Sequence, residues 1–244
     1  MAQTLTTLRQ YTRMLLDESS AADWSVADVD RGINFAYHEL VSAVVEAYED
    51  YYIKTTNLDT AADTQEYGEA EGFPSDFFKM RRVEINYDPA DSNSKPKRAL
   101  PISLDEVKTD LGNEVVTVTT RSNPAYYLLG HGSNLKLGFI PIPSEDGTDA
   151  IKLWYVYTPS DLEASNDTPD LPYPDRYARL IPYGAAADLL RKGQQEEVAA
   201  RQYRLEFEMG LEKMKQQLEE RKADDVKGVT DTVGLDVAFD RNMF

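Results

Sequence analysis

Residues 174–223 carry two apolar stripes in succession, and no other stretch constrains the fold as tightly. In the first half Tyr177, Leu180, Ile181, Gly184, Ala187 and Leu190 fall three or four positions apart; Lys192-Gly193-Gln194 then supplies a cation for the negative end of a helix and a glycine stop. In the second half Ala200, Tyr203, Phe207, Leu211, Met214 and Leu218 repeat the spacing, with Glu, Lys, Arg and Gln on the other side. Two amphipathic helices joined by a short turn close as an antiparallel hairpin. That hairpin leaves apolar flank uncovered, so a partner must come from elsewhere in the chain.

The N-terminus supplies it. Ser25 stands where a helix cap belongs, with Asp28 three residues on, and Val26, Val29, Ile33, Ala36, Tyr37, Leu40, Val44 and Tyr48 draw a long stripe. Ahead of it Leu5, Leu8, Tyr11 and Leu15 mark a shorter helix. The expected fold class is α+β. Residues 1–50 and 174–223 build one helical bundle whose core holds Ile33, Tyr37, Leu40, Tyr177, Ile181, Tyr203, Phe207, Leu211 and Met214, and 51–173 is an inserted antiparallel β domain with its linker. Within the insertion the β-branched and aromatic runs 51–56, 80–87, 114–120 and 151–157 predict strands, 126–129 and 135–140 predict a hairpin around Gly130 to Asn134, and Ser103 with Glu106 caps a short helix over 103–111. Residues 59–72 and 88–97 read as loops, and 158–174 as a linker rich in Pro and Asp.

Residues 224–244 are predicted to leave the helix as an extended arm. Val229, Val233, Leu235, Val237, Phe239, Met243 and Phe244 make it too apolar for a solvated tail. It either folds back on its own domain or lies along a neighbouring protein, by strand addition or by filling pockets.

Composition removes most chemistry. A net charge of −17 and a pI near 4.5 oppose binding that neutralises phosphates over a broad basic face. The acidity reads as a solubility device or as a surface that stays close to DNA without adhering. Cysteine is absent, so there is no thiol nucleophile, thiolate metal site or disulfide, which fits assembly in a reducing cytoplasm. His38 is expected packed or half-exposed on a helix and His131 solvated at a hairpin tip; Ser133 follows its glycines instead of standing between them, so Gly130-His131-Gly132-Ser133 is no nucleophile elbow. The acidic clusters Asp88/Asp91 and Asp161/Glu163/Asp167/Asp170 lack the spacing of a calcium loop. No catalytic, cofactor-binding or metal-ligating residue is assigned, and no cofactor is expected. Lys95-Pro96-Lys97-Arg98, the one compact basic cluster, reads as a solvated loop or a contact to the acidic surface of another subunit. No apolar run approaches the roughly 20 residues of a membrane span, so no membrane partner is expected; the first residues lack the form of a signal peptide, and synthesis without export follows.

Several short motifs, taken in chain order, resemble the head-to-tail adaptor (connector) proteins of tailed bacteriophages. Trp24-Ser25, Val29, Ile33-Asn34 and Ala36-Tyr37 are similar to that family's W…I-N-x-A-Y helix, and Phe73-Pro74-Ser75-Asp76-Phe77 with Lys79 to its P-x-D-F-x-K element. Pro124-Ala125-Tyr126-Tyr127, Leu135-Lys136-Leu137, Pro141-Ile142-Pro143, Tyr155 and Pro159 are similar to its hairpin and following strand, and Asp167, Pro169, Leu171 and Pro172 to its approach to the last helix pair. The resemblance implies a virion protein of the neck, made in the host cytoplasm: a ring of about twelve copies beneath the portal, with a terminal arm reaching it. The next neck or tail protein (a stopper, tail terminator, or tail tube or nozzle) would lie on the other side, and DNA would pass through the lumen without specific binding. Such a ring would carry roughly −200 formal charges, repelling DNA enough to let it slide. The readings left beside it are another neck or tail ring, such as a tail tubular or head-completion protein, or an acidic enzyme or binding protein.

Overall fold

The computed structural model describes residues 3–18, 23–91, 93–103, 119–193 and 197–240, with backbone alone for 174 and 222–240. Its chain divides into two compact units, Met1–Tyr51 with Pro159–Phe244, and Tyr52–Thr158. The polar segment 159–173 therefore groups with the helices, not with the strands it follows.

In the helical unit, Thr4 caps α1 (Leu5–Leu15) by accepting from the Thr7 amide. Its buried side chains are Leu5, Leu8 and Thr12, while Tyr11 is 44% exposed, against the expected stripe. The face turns at Thr12 because its hydroxyl donates to the Leu8 carbonyl at 2.9 Å, which satisfies the one polar atom and leaves a methyl to pack. Ser25 caps α2 (Val26–Tyr48): its Oγ accepts from the Asp28 amide at 3.1 Å and donates to the Asp28 carboxylate at 2.6 Å. Val29, Ile33, Ala36, Tyr37, Leu40 and Val44 line its buried face. A single turn, Pro174–Tyr177, and a 3-10 turn, Ala178–Leu180, lead into α3 (Ile181–Lys192), which packs on α1, α2 and α4 (Glu197–Asp240).

Tyr177, Ile181, Phe207, Met214 and Leu218 are buried; Tyr203 and Leu211, expected in the core, are only half-buried. Tyr203 keeps its hydroxyl at the edge, donating to the Leu15 carbonyl at 3.2 Å, and Leu211 borders the groove between α2 and α4. The expected end of the helix at 223 and the extended arm after it are both overturned: α4 runs unbroken to Asp240. The physical reasons are in the sequence. Beyond 223 there is no proline, Gly228 and Gly234 each cost only about 1 kcal/mol in a helix interior, and Val229, Val233 and Val237 recur at every fourth position, a helical period. Met243 and Phe244 lie outside the described residues.

The second unit is one seven-stranded sheet in the order β1-β7-β3-β4-β5-β6-β2, antiparallel except where β4 meets β5. Strand β1 (Ile53–Thr60) starts after the 3-10 turn Glu49–Tyr52 and extends past the expected end because Leu58 and Thr60 are buried. Within the segment read as a loop, β2 (Glu66–Tyr67) stacks the Tyr67 ring edge-on against Phe139. β3 (Phe77–Ile85) and β7 (Gly147–Tyr157) alternate around Val83, Ile85, Ile151 and Leu153, which form the core with Tyr155, Leu137 and Phe139. β5 (Ala125–Leu129) and β6 (Lys136–Ile140) make the hairpin, and Gly130 turns it with a φ of 87°, where a Cβ would strike the Asn134 carbonyl oxygen. β4 (Lys97–Pro101) falls partly in the segment read as a loop, since only Ala99 points inward and no alternation is visible. The expected helix 103–111 and most of the expected strand 114–120 lie outside the described residues; Thr120 makes a lone bridge with Asn123.

Phe207 is fully buried where α2, α3 and α4 meet. Phe207→Ala is expected to cost about 3–5 kcal/mol, and Leu211→Ala, at its half-buried position, distinctly less; denaturant unfolding of both variants checks the order.

Candidate functional site

In the helical unit, segment 159–173 is laid across α2 and α1 by polar side chains that sit beside the apolar stripe. Asn34 reads both backbone groups of Leu162: its Oδ1 accepts the Leu162 amide at 2.9 Å and its Nδ2 donates to the carbonyl at 3.3 Å. One turn on, the Tyr37 hydroxyl accepts the Asp170 amide at 3.1 Å, and His38 Nε2 lies 2.6 Å from Asp161 Oδ1. Asp167 Oδ2 accepts the amides of Glu163 and Ala164 at 2.9 and 2.7 Å, while the Asp167 carbonyl accepts from the Leu5 amide at 2.8 Å, an otherwise unmet donor in the first turn of α1. Leu162 and Leu171 are buried on the same surface. Residues more than a hundred positions apart thus meet in one anchor. At the other end of α2, Trp24 packs against the turn after α3, where a Cβ on Gly193 would come within 2.9 Å of the indole.

Asp76 has the matching task in the sheet. Its carboxylate accepts from Lys54 Nζ and from the Tyr155 hydroxyl, each at 2.9 Å, and its carbonyl accepts the Thr158 amide at 2.9 Å. Phe77 stacks between Phe73 and Tyr155, with ring centroids 5.1 and 5.9 Å away. Burial, reinforced by the Asp76 carboxylate, pushes the Tyr155 phenol above its ordinary value. These carboxylates hold backbone and hydroxyl hydrogens. Among the described residues no group of three or more His, Asp or Glu side chains could hold a metal ion.

The other sequence candidates are dispersed. Val229, Val233, Leu235, Val237 and Phe239 lie on the last turns of α4. His131 is exposed beside the hairpin turn, and Lys97 and Arg98 belong to β4 and are exposed, not looped. Asn34 and Asp76 stood within motifs whose order resembled a family, but their task as backbone anchors was not foreseen; a polar residue set into an apolar helical stripe, as Asn34 is beside Ile33, was the available signal. No described helix is long and apolar enough to cross a membrane.

A family model described as SU10 adaptor protein matches residues 3–229, nearly the whole chain. The class this defines is a structural protein of a bacteriophage particle. The chain belongs to the SU10 adaptor protein family, a family of phage head-to-tail adaptors. No curated protein matches the sequence. The matched span takes in every anchor described above and ends at Val229, inside α4.

The anchor has a pH signature. Burial pushes the Tyr37 phenol from its usual value of 10.0 up to about 12. A proton acid with a raised folded pKa favours the fold while protonated, so its contribution is complete below about pH 10 and is lost as pH rises toward 12. The melting-temperature gap between the wild type and Tyr37→Phe is expected to be widest near pH 9 and to narrow between pH 10 and 12.

Proposed function

We propose that this chain is a head-to-tail adaptor that forms a ring beneath the portal, joins the capsid to the tail and lets DNA pass. Membership of the SU10 adaptor protein family over residues 3–229 carries the reading. In it, about twelve copies bind the portal on one side and the next neck or tail protein on the other, and the protein resides in the virion neck. The charge supports passage without binding. With 43 Asp and Glu against 26 Lys and Arg, an acidic lumen would hold DNA off its wall by repulsion.

The end of the chain is the part proposed to reach the portal, through Val229, Val233, Leu235, Val237, Phe239, Met243 and Phe244. Since α4 continues to Asp240, the mode of docking is an apolar helix laid in a groove in preference to strand addition. Host cells infected with phage that lack this chain are expected to accumulate DNA-filled heads without tails; normally tailed particles would overturn the reading. Removal of residues 228–244 is expected to leave a folded protein that no longer joins portal-bearing heads, as judged by co-sedimentation; unchanged incorporation would show that the arm is dispensable.

A further inference from the structure

Two exposed faces of the protein are apolar at the centre and charged around the rim, one with an excess of cations and the other with an excess of carboxylates. The first is the outer face of strands β1, β7, β3 and β4. Register sets Thr55, Trp154 and Arg82 in one cross-strand row and Asn57, Lys152, Glu84 and Arg98 in the next, while the alternate row of Leu153, Val83 and Ala99 points into the core. The Trp154 ring lies between two cations, with Arg82 Cζ 5.1 Å and Lys152 Nζ 4.9 Å from its centroid. Leu100, two positions past Arg98 on β4, is 45% exposed. Arg82 is paired with Glu84, but among the described residues neither Lys152 nor Arg98 has an ion-pair partner.

The second face is the outer side of α4. Val198, Leu205 and Met209, spaced i, i+7 and i+11, make one stripe on the side of the helix away from Phe207, Met214 and Leu218. They are 82%, 57% and 46% exposed. Glu206, Glu208 and Glu212 flank the stripe together with Arg201 and Lys213, so the rim is mixed with an acidic excess; Glu208 is paired with Arg204 and Arg201 with Glu197, whereas Glu206 and Glu212 have no ion-pair partner among the described residues.

Pairing either face with its own copy would bring like net charges together, which disfavours that contact. Pairing one with the other joins apolar centre to apolar centre and cation to carboxylate. That is a heterologous contact, the kind that builds a ring when its rotation closes. We propose that the Trp154 face of one copy seats on the Val198–Leu205–Met209 stripe of the next copy, with Lys152 and Arg98 facing Glu206 and Glu212. The proposal rests on the adaptor reading and supplies it with a subunit interface.

The chain has no cysteine, so introduced thiols report without background. Leu100→Cys and Leu205→Cys both fall at exposed positions. With a short bis-maleimide linker, the double variant bound to portal-bearing heads is expected to yield a ladder of covalent multimers on a denaturing gel. A one-to-one mixture of the single variants is expected to stop at dimers. Adding Glu206→Lys with Glu212→Lys is expected to abolish the ladder, and further adding Arg98→Glu with Lys152→Glu to restore it. If the protein is multimeric on the heads by mass but the mixed single variants give no dimer, the contact lies elsewhere and this interface is wrong while the adaptor reading stands. If the protein is absent from the heads or present there as a single copy, both fall.

Discussion

The helical unit depends on a missing side chain. At Gly184, in the middle of α3, a Cβ would stand 2.8 Å from the Cβ of Ala36 and 3.0 Å from the ring of Phe207. The run Gly184-Ala185-Ala186-Ala187 makes α3 thin enough for α2 and α4 to close on it, with α1 also packed against it. Close packing of that kind tolerates little added volume; one extra methyl typically costs about 1–3 kcal/mol through displaced neighbours. Because α2 comes from the start of the chain and α3 and α4 from its last third, this seam is where the two ends are joined, and the strands from Tyr52 to Thr158 are an insertion between them.

Acidity is used in two ways. One set of carboxylates is spent inside the fold: Asp167 and Asp76 collect backbone, hydroxyl and ammonium hydrogens, and Glu39 and Glu46 meet Arg204 and Lys215 across α2 and α4 at 2.9 and 2.6 Å. Pairs as exposed as these contribute about 0–1 kcal/mol each, so they set register more than they hold the bundle. The remainder is surplus at the surface, and in the proposed ring such an acidic surface would repel a polyanion without any specific contact.

The helices were legible because burial on one side imposes a period that sequence displays directly. The exceptions have local causes. Thr12 was passed over in favour of Tyr11 because a hydroxyl that bonds its own helix cannot be told in advance from one that needs water. Strand β4 shows one inward residue, Ala99, and so has no period to read. Segment 159–173 looked like a linker because its order comes from Asn34, Tyr37 and Asp167, side chain to backbone contacts between distant positions that no local pattern announces. The helical continuation to Asp240 was hidden by two glycines that weaken a helix without ending one. The cation-flanked Trp154 was invisible for a further reason: its neighbours are cross-strand partners, and register had to be known before they could be named.

The central claim is that this fold works as one of many identical subunits clamped between a portal and a tail. The most direct test is the mass of the assembly that the protein forms on purified portal complexes. The account predicts a closed multimer of the 27.6 kDa chain, about twelve copies on one portal. A protein that stays a monomer and leaves the portal unoccupied would contradict it.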